Sequence, residues 1–336
     1  MKKLGVIILN WNGLELLKKF LPVASRHTVC DEVDLIVADN GSTDSSVAWI
    51  REHHPEVKVI ELDRNYGFAQ GYNLAIEKVD YPYVTLLNSD VEVTEGWWQP
   101  IMGFMQSHPD AGAVQPKILS LRDRTMFEHA GAAGGYLDNL GYPYCRGRLF
   151  DKVEKDEGQY DGPPESVAWA SGACLTVRTD VYRKVGGLDA QFFAHMEEID
   201  LCVRIRFAGY GVYAITDSKV YHLGGASLDK SNPKKTYLNF RNNLLMLYKN
   251  LPLREGRRML FIRRLMDTLA FGMFVVKFEI GNAKAVVKAH SDFRKMRKAY
   301  AEHPTTNLFR TLPGTDVSAI KRRYLEIAPF GRNTER

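Results

Sequence analysis

The sequence predicts an α/β fold, with a mixed, mostly parallel sheet flanked by helices and a helical extension at the C-terminus. Two observations predict this class. Apolar runs and helical stretches alternate in a β-α-β rhythm over residues 4–107, which is typical of parallel strands joined by right-handed crossovers. After Gly224-Gly225, strand-like runs give way to apolar residues at helical spacing.

The elements of the first part follow from short apolar runs and from the capping residues around them. We predict strands at Val6–Leu9, Leu35–Ala38, Val57–Leu62 and Tyr83–Leu87. We predict helices at Leu14–Val23, Ser45–His53, Phe68–Val79 and Trp97–Ser107.

The second part is less regular. Residues 112–167 are rich in Gly, Tyr and Pro and predict hairpins and a long loop. Beyond them we predict a strand pair in Val167–Val177, helices at Asp180–Val185 and Ile199–Ala208, and strands at Val212–Ile215 and Lys219–Tyr221. Three final helices are expected at Lys234–Lys249, Arg254–Lys277 and Ala283–Tyr300. These assignments divide the chain into a domain at 1–230, with halves at about 1–110 and 111–230, and a basic helical region at 231–336.

The composition excludes several classes of protein. The 336 residues, 45% of them hydrophobic and 25% charged, can bury a large core. Cys30, Cys145, Cys174 and Cys202 form no C-x-x-C pair, which argues against a zinc ribbon or a disulfide scaffold. No apolar run reaches the ~18–20 residues of a membrane span, and the run Leu4–Leu9 is too short for a signal peptide. We therefore expect a cytoplasmic chain.

The net charge of +5 is unevenly spread, because basic residues crowd the last third of the chain. They predict an anionic neighbour, but no recognisable nucleic-acid module accompanies them. The apolar residues among them fit either an interfacial helix on anionic lipid or a packing or dimerisation face. Those apolar residues are Leu265, Leu269, Phe271, Phe274 and Val275.

A polar cluster follows the predicted strand Tyr83–Leu87. Asn88-Ser89-Asp90 lies where open α/β sheets bind ligands, at the carboxyl end of a strand. Two later segments supply more polar groups: Glu197-Glu198-Ile199-Asp200 is acidic, and His222 ends another strand. Carboxylates and an imidazole from separate strand ends can hold a divalent metal and move a proton.

Five motifs in this order resemble the family 2 glycosyltransferases, which have the GT-A fold. The resemblance covers about residues 4–250. Two further details, Gly67-Phe68-Ala69 and Arg241-Asn242-Asn243, resemble the rhamnosyltransferase-type branch. The five motifs are residues 6–13 (VIILNWNG), 37–44 (VADNGSTD), 65–73 (NYGFAQGYN), 86–90 (LLNSD) and 197–204 (EEIDLCVR).

The resemblance implies a site for a nucleoside-diphosphate sugar. Asp39 would accept a hydrogen bond from the nucleotide base, whereas Ser42 or Asp44 would cap the next helix. Gly67 would let the backbone approach the donor, although a tight strand-to-helix turn explains it equally well. The implied donor-binding residues are Asn10, Asp39, Asn65, Gly67, Asn73, Asn88 and Asp90.

The resemblance also implies a divalent metal. Asp90 is the expected ligand from the family's Asp-x-Asp motif, whose first Asp is Asn88 here, and His222 is the expected second ligand. Because Asn88 replaces a carboxylate of the motif, the affinity for the metal should be weaker. Mn²⁺ or Mg²⁺ would then bind well only together with the donor diphosphate. The alternatives are that Asp90 is a turn residue and that His222 is structural.

The acidic motif implies a catalytic base. We assign that role to Glu197, with Glu198 as the rival; a solvated helix N-terminus is the simpler alternative. Asp200 and Arg204 are spaced i, i+4 and should form a supporting ion pair. Trp169 and His195 would shape the acceptor pocket, although a buried Trp is the commoner outcome for Trp169.

The expected function is an inverting glycosyltransferase that acts on a glycan or lipid-linked acceptor in cell-surface glycan synthesis. A catalytically inactive carbohydrate-binding relative and a metal-dependent nucleotidyltransferase are the alternatives. Residues 10–13 lack the Gly-rich phosphate loop expected of a nucleotidyltransferase. Peripheral attachment to the inner face of the plasma membrane and dimerisation through the C-terminal helices both remain open.

Overall fold

The computed structural model describes residues 2–224 and 232–319. Its strands are β1 (Leu4–Asn10), β2 (Val33–Asp39), β3 (Lys58–Glu61), β4 (Tyr83–Leu87), β5 (Val91–Val93), β6 (Ala111–Ser120), β7 (Gly135–Leu137), β8 (Pro143–Cys145), β9 (Arg148–Leu149), β10 (Lys152–Val153), β11 (Glu165–Ser166), β12 (Cys174–Arg178) and β13 (Gly211–His222). Its α-helices are α1 (Leu14–Thr28), α2 (Ser46–His53), α3 (Gly67–Glu77), α4 (Trp98–Ser107), α5 (Thr179–Lys184), α6 (Glu197–Phe207), α7 (Pro233–Asn250), α8 (Leu253–Val276) and α9 (Ile280–Met296).

The central sheet is mixed and mostly parallel, as predicted. In the described residues it has nine strands in the order β11-β13-β6-β12-β4-β1-β2-β3, and β5 pairs with the end of β13. β1 is parallel to both β2 and β4, and β3 is parallel to β2. β12 runs antiparallel between β4 and β6, and β13 is parallel to β6.

This topology brings many chain segments to one edge of the sheet. The carboxyl ends of β1, β2, β4, β6 and β13 lie there, because these strands run in the same direction. The amino end of β12 lies there too, because β12 is antiparallel and Cys174 pairs with Leu87. Residues that follow five different strands therefore meet at a single edge, where ligands bind in open α/β sheets.

Residues 112–167 contain the predicted hairpins, because β7, β8, β9 and β10 pair antiparallel in succession. The prediction missed β6, which crosses the start of this region as a ten-residue strand. The strand is buried along almost its whole length, so it has no polar–apolar alternation to reveal it. Pro116 pairs with Ile215, the residue at which the register between β6 and β13 shifts. A proline is tolerated inside a sheet at such an irregularity.

Two other strand predictions were wrong in detail. The segment Val167–Val177 contains only one strand of the central sheet, which begins at Cys174. Val212–Ile215 and Lys219–Tyr221 belong to one strand, β13, which continues through a register shift. A bulge interrupts the side-chain alternation and makes one strand look like two.

The C-terminal helices pack onto the rest of the fold. Leu244 and Leu247 of α7 lie in the hydrophobic core that also contains Tyr72. Arg263 of α8 donates a hydrogen bond to the carbonyl oxygen of Leu140 at 3.1 Å. The boundary predicted near residue 230 lies outside the described residues. In residues 2–224 and 232–319, no helix combines the length and apolar character needed to cross a membrane.

Candidate active site

Asp90 and His222 face each other at the carboxyl edge of the sheet. Asp90 Oδ1 lies 3.1 Å from His222 Nε2, and both side chains are buried. The pairing of β5 with β13 produces this contact, because His222 is the partner of Val91. The backbone N–H of Leu223 also donates to the Asp90 carbonyl oxygen at 3.0 Å. Two side chains that are 132 residues apart in the sequence are thus held together by backbone pairing.

Glu128 completes this cluster, and the sequence analysis missed it. Its Oε2 lies 3.6 Å from His222 Nδ1, on the opposite side of the imidazole from Asp90. The carboxylate also accepts a hydrogen bond from the N–H of Ala130. Glu128 belongs to none of the five motifs. After β6 the chain turns back along this strand, and the N–H of Glu128 donates to the carbonyl of Ile118, which brings the glutamate to the cluster.

The three side chains form a strongly coupled electrostatic unit. Burial alone would lower the pKa of His222, but the carboxylates of Asp90 and Glu128 outweigh it and raise the pKa to about 10. Burial would raise the pKa of Glu128, but the positive charge of His222, which lies 3.6 Å away, lowers it to about 2. The pocket therefore stabilises one positive charge between two carboxylates.

The chemistry of this cluster fits a divalent metal that takes the place of the His222 proton. Two neighbouring ligands of an octahedral ion at about 2.1 Å are about 3.0 Å apart, close to the 3.1 Å between Asp90 Oδ1 and His222 Nε2. His222 Nδ1 is buried without a hydrogen bond. Among the residues that the structure describes, no group of three or more His, Cys, Asp or Glu side chains is arranged to hold a metal by itself.

Glu197 and Glu198 begin helix α6, and their environments differ. Glu197 is 4% exposed, whereas Glu198 keeps partial exposure. Burial and the neighbouring charge of Glu198 raise the pKa of Glu197 well above its usual range. Burial raises the pKa of Glu198 to about 7. Glu198 therefore changes its protonation state near neutral pH, which suits a group that takes up a proton.

Glu198 lies at the same edge of the sheet as Asp90. A Cβ placed on Gly172 would be 3.5 Å from the Cβ of Glu198, so the glutamate lies directly over this glycine. The next residue, Ala173, accepts a hydrogen bond from the N–H of Asn88 at 3.0 Å. One short stretch of chain therefore connects the acidic helix to the Asn88–Asp90 turn.

The segment before α6 has an unusual backbone. Phe193, His195 and Met196 all have positive φ, at 65°, 67° and 72°, a conformation that is costly for residues with a Cβ. Asn242 of α7 holds this segment, because its Nδ2 donates to the carbonyl oxygens of Phe192, Ala194 and His195 at 3.0, 2.9 and 2.6 Å. Burial lowers the pKa of His195 to about 4, so this imidazole is neutral at physiological pH.

Replacing Asn242 by Ala should lower the free energy of unfolding by about 1–3 kcal/mol, because buried carbonyl groups lose their donor. Asn242→Asp should cost more, because it places a carboxylate against those carbonyl oxygens. Urea denaturation measures both values. Asn139→Asp, at an exposed position, is the matched control, and equal stabilities for the three variants would contradict the role of Asn242.

The side chains predicted to bind the nucleotide base are hydrogen-bonded to one another. Asn10 Nδ2 donates to Asp39 Oδ1 at 3.0 Å and to Ser46 Oγ at 2.9 Å. Asp39 Oδ2 accepts the N–H of Ser42 at 2.9 Å, which closes the turn that follows β2. Asp44 accepts the N–H groups of Leu14 and Ser46 and caps two helices. Each Asp39 oxygen keeps a lone pair for one further donor.

The side chain of Asn40, which was not among the predicted site residues, holds Asn65 and Gly67 in place by hydrogen bonds. Asn40 Nδ2 donates to Asn65 Oδ1 at 3.1 Å and to the Gly67 carbonyl at 3.0 Å. Gly67 needs its glycine, because φ is 78° and an added Cβ would lie 2.6 Å from the Phe193 ring. The Phe193 carbonyl accepts the N–H of Phe68 at the start of α3. The segment that precedes α6 therefore also borders the region predicted to bind the nucleotide sugar.

Other predicted site residues have structural roles. Asn73 bonds both the N–H and the carbonyl of Leu188, at 3.0 and 2.7 Å, so its amide holds this turn. Trp169 is 3% exposed and donates through Nε1 to the Tyr136 carbonyl, which makes it a core residue and not part of an acceptor pocket. Asp200 is fully buried and bonds Arg204 Nε at 2.8 Å.

Parts of the chain are similar to known proteins. Residues 6–160 match the family model described as glycosyl transferase family 2. N-acetylglucosaminyl-diphospho-decaprenol L-rhamnosyltransferase of Mycobacterium tuberculosis is 26% identical over 235 residues, which cover 65% of this chain and 75% of that protein.

Two solved structures show the same fold. S. aureus TarS 1–349 in complex with UDP-GlcNAc has a TM-score of 0.57 at 15% identity and covers 87% of this chain and 80% of that chain. GalNAc-T7 with UDP, GalNAc and Mn²⁺ has a TM-score of 0.57 at 15% identity and covers 74% of this chain. This chain spans about half, 48%, of the GalNAc-T7 chain. These likenesses identify the architecture as GT-A.

Proposed function

We propose that the chain is a family 2 glycosyl transferase, because residues 6–160 match the model of that family, and that it transfers a sugar from a nucleoside-diphosphate sugar to a hydroxyl of a glycan or lipid-linked acceptor in cell-surface glycan synthesis. The observation that carries the proposal is that three distant segments of the chain reach the same edge of the sheet. Asp90 and His222 are in contact there at 3.1 Å, and Glu198 lies over Gly172, whose neighbour Ala173 bonds the N–H of Asn88. The Mycobacterium tuberculosis relative is named for a diphospho-decaprenol acceptor, which supports a lipid-linked acceptor for this chain.

In the proposed mechanism Glu198 is the general base. It takes the proton of the acceptor hydroxyl as the oxygen forms a bond to the anomeric carbon. The bond from that carbon to the diphosphate breaks on the opposite face, so the configuration inverts in a single displacement. The pKa of about 7 supports Glu198 in this role. Glu197, the base assigned from the sequence, is more deeply buried and is proposed to stay protonated beside Glu198.

Asp90 and His222 are proposed to hold Mn²⁺ or Mg²⁺ together with the donor diphosphate. When bound, the metal would stabilise the negative charge that develops on the leaving diphosphate. Glu128 is proposed to orient the imidazole, since carboxylates commonly bond the second nitrogen of a metal-bound His. Asn88, at the start of this turn, is proposed to bond the donor through its amide.

Asp39 and its surroundings are proposed to bind the nucleotide. The remaining lone pairs of Asp39 can accept an N–H from the base. Asn10 and Asn65 are fixed by hydrogen bonds that leave them at the carboxyl edge of the sheet. Gly67 keeps the start of α3 open to a close approach by the donor. His195, neutral and next to the acidic helix, is proposed to border the acceptor.

A transfer assay tests the proposal. The purified protein is incubated with a panel of nucleotide sugars, Mn²⁺ and a polyprenyl-diphosphate-linked sugar, and the product is followed by mass spectrometry. We expect one donor to yield a product that is heavier by one sugar. Glycan binding without turnover of any donor would favour the inactive relative, and release of pyrophosphate from a nucleoside triphosphate would favour a nucleotidyltransferase. Either result would overturn the proposal.

A further inference from the structure

Helix α8 carries a continuous apolar stripe on its solvent side. The residues of the stripe are spaced by four, four, four and three positions, which places them on one face. At about 1.5 Å per residue the stripe is about 22 Å long. Its members are Phe261 (65% exposed), Leu265 (55%), Leu269 (63%), Met273 (51%) and Val276 (78%).

The apolar surface extends beyond the stripe. Phe278, in the turn after α8, is 88% exposed. A groove of about 560 Å³ lies between α8 and α9 and is lined by Phe271, Val275, Ile280 and Val287 among others. Contiguous apolar surface of this extent on a folded protein marks an interaction site.

The opposite side of α8 is already occupied. Arg263 donates to Asn243 and to the Leu140 carbonyl, and Asp267 bonds His290 of α9 at 2.9 Å. These buried contacts fix the rotation of the helix about its axis. The stripe therefore faces away from the fold because of packing, and a small rotation of α8 cannot bury it.

Basic side chains surround the stripe. Arg254, Arg257, Arg258 and Arg264 are exposed along the first half of α8, and Lys277 is exposed at its end. Lys284, Lys288 and Lys295 line the neighbouring groove, where Lys288 donates to the carboxylate of Asp292. The exposed acidic residues of α8 and of the turn that follows it are Glu255 and Glu279. The face is thus apolar along its centre and cationic around it.

This charge pattern identifies the partner. A second copy of the chain would place one surface with an excess of positive charge against another, because the basic side chains along α8 and its border outnumber Glu255 and Glu279. An anionic bilayer would instead take the apolar stripe at the headgroup boundary and attract the arginines and lysines. We propose that the α8 stripe and its basic border dock the protein on an anionic lipid membrane. The inference deepens the proposed function, because it puts the enzyme on the surface that holds a lipid-linked acceptor.

Vesicle flotation tests the inference without any measurement of transfer. The full chain should float with vesicles of phosphatidylglycerol and phosphatidylcholine and much less with phosphatidylcholine alone. Arg257→Gln/Arg258→Gln should reduce the partition coefficient about thirtyfold, because each basic residue near an anionic surface contributes about a factor of five. Leu265→Ser/Leu269→Ser should reduce it at least as much. Lys19→Gln/Arg26→Gln, at exposed positions of α1, is the matched control and should change little.

Each other outcome counts against the inference. Absence of wild-type flotation, or equal losses in the α1 control, would overturn it. Dimerisation in light scattering that is abolished by Leu265→Ser/Leu269→Ser, without vesicle binding, would assign the stripe to a second copy. Transfer to a short-chain, water-soluble acceptor should survive these changes, so a failure of docking is distinguishable from a failure of the proposed function. Unchanged thermal denaturation shows that the variants fold.

Discussion

Replacing Glu198 by Gln is expected to lower kcat for sugar transfer by about 10²–10⁴-fold, the usual contribution of a general base. The substitution keeps the shape of the side chain and removes its ability to take up a proton. Donor binding, followed by thermal stabilisation with the nucleotide sugar, should stay near the wild-type level. Glu198→Asp should recover part of the activity, because the shorter carboxylate can still accept a proton.

Glu197→Gln is the matched comparison, and its loss should be no more than about tenfold. Glu197 is proposed to be protonated at neutral pH, because burial and the charge of Glu198 raise its pKa, so an amide is a close substitute. Glu95→Gln, at an exposed position after β5, controls for a general effect of charge. A larger loss at Glu197 than at Glu198 would reverse the assignment of the base.

The pH profile gives an independent check on Glu198. Its pKa is raised to about 7, and the base works in its deprotonated form. Transfer should therefore fall about tenfold per pH unit below pH 7 and reach a plateau above it. A raised carboxyl pKa also means that stability is lost as the pH rises through about 7. Glu198→Gln should consequently be at least as stable as the wild type above that pH.

Asp90→Asn is expected to weaken the binding of Mn²⁺ by more than about a hundredfold in the presence of a nucleoside diphosphate. Even groups that only orient a metal ligand contribute about 10–100-fold to affinity, and this change removes a ligand charge. The electron paramagnetic resonance signal of free Mn²⁺ measures the binding directly, without turnover. Transfer should decrease in parallel. Asp31→Asn, in the exposed turn before β2, is the control.

Two further variants make the metal assignment sharper. Glu128→Gln should weaken Mn²⁺ binding by about 10–100-fold, as expected for a group that orients His222. His222→Gln should lose as much affinity as Asp90→Asn and leaves both carboxylates in place, so it separates loss of a ligand from loss of charge. Wild-type affinity for Mn²⁺ in all three variants would show that the cluster is a structural ion pair.

The sequence alone was sufficient for the parts that depend on local pattern. The β-α-β rhythm predicted that β1, β2, β3 and β4 are parallel, because each element could be recognised from a short window. The i, i+4 spacing of Asp200 and Arg204 predicted a pair that lies at 2.8 Å in the structure. The motifs also indicated a resemblance to the family 2 glycosyltransferases, whose model matches residues 6–160.

Only the tertiary structure decided which groups meet, because contact between distant segments depends on strand register and packing. The pairing of His222 with Val91 brings the imidazole to Asp90, and the return of the chain past β6 adds Glu128. Burial, which no local pattern measures, gives Glu197 and Glu198 different environments and makes Trp169 a core residue. The sequence determined which side chains lie near the end of a strand. The folded sheet determined which of them share a pocket, and their proximity there shifts one another's pKa.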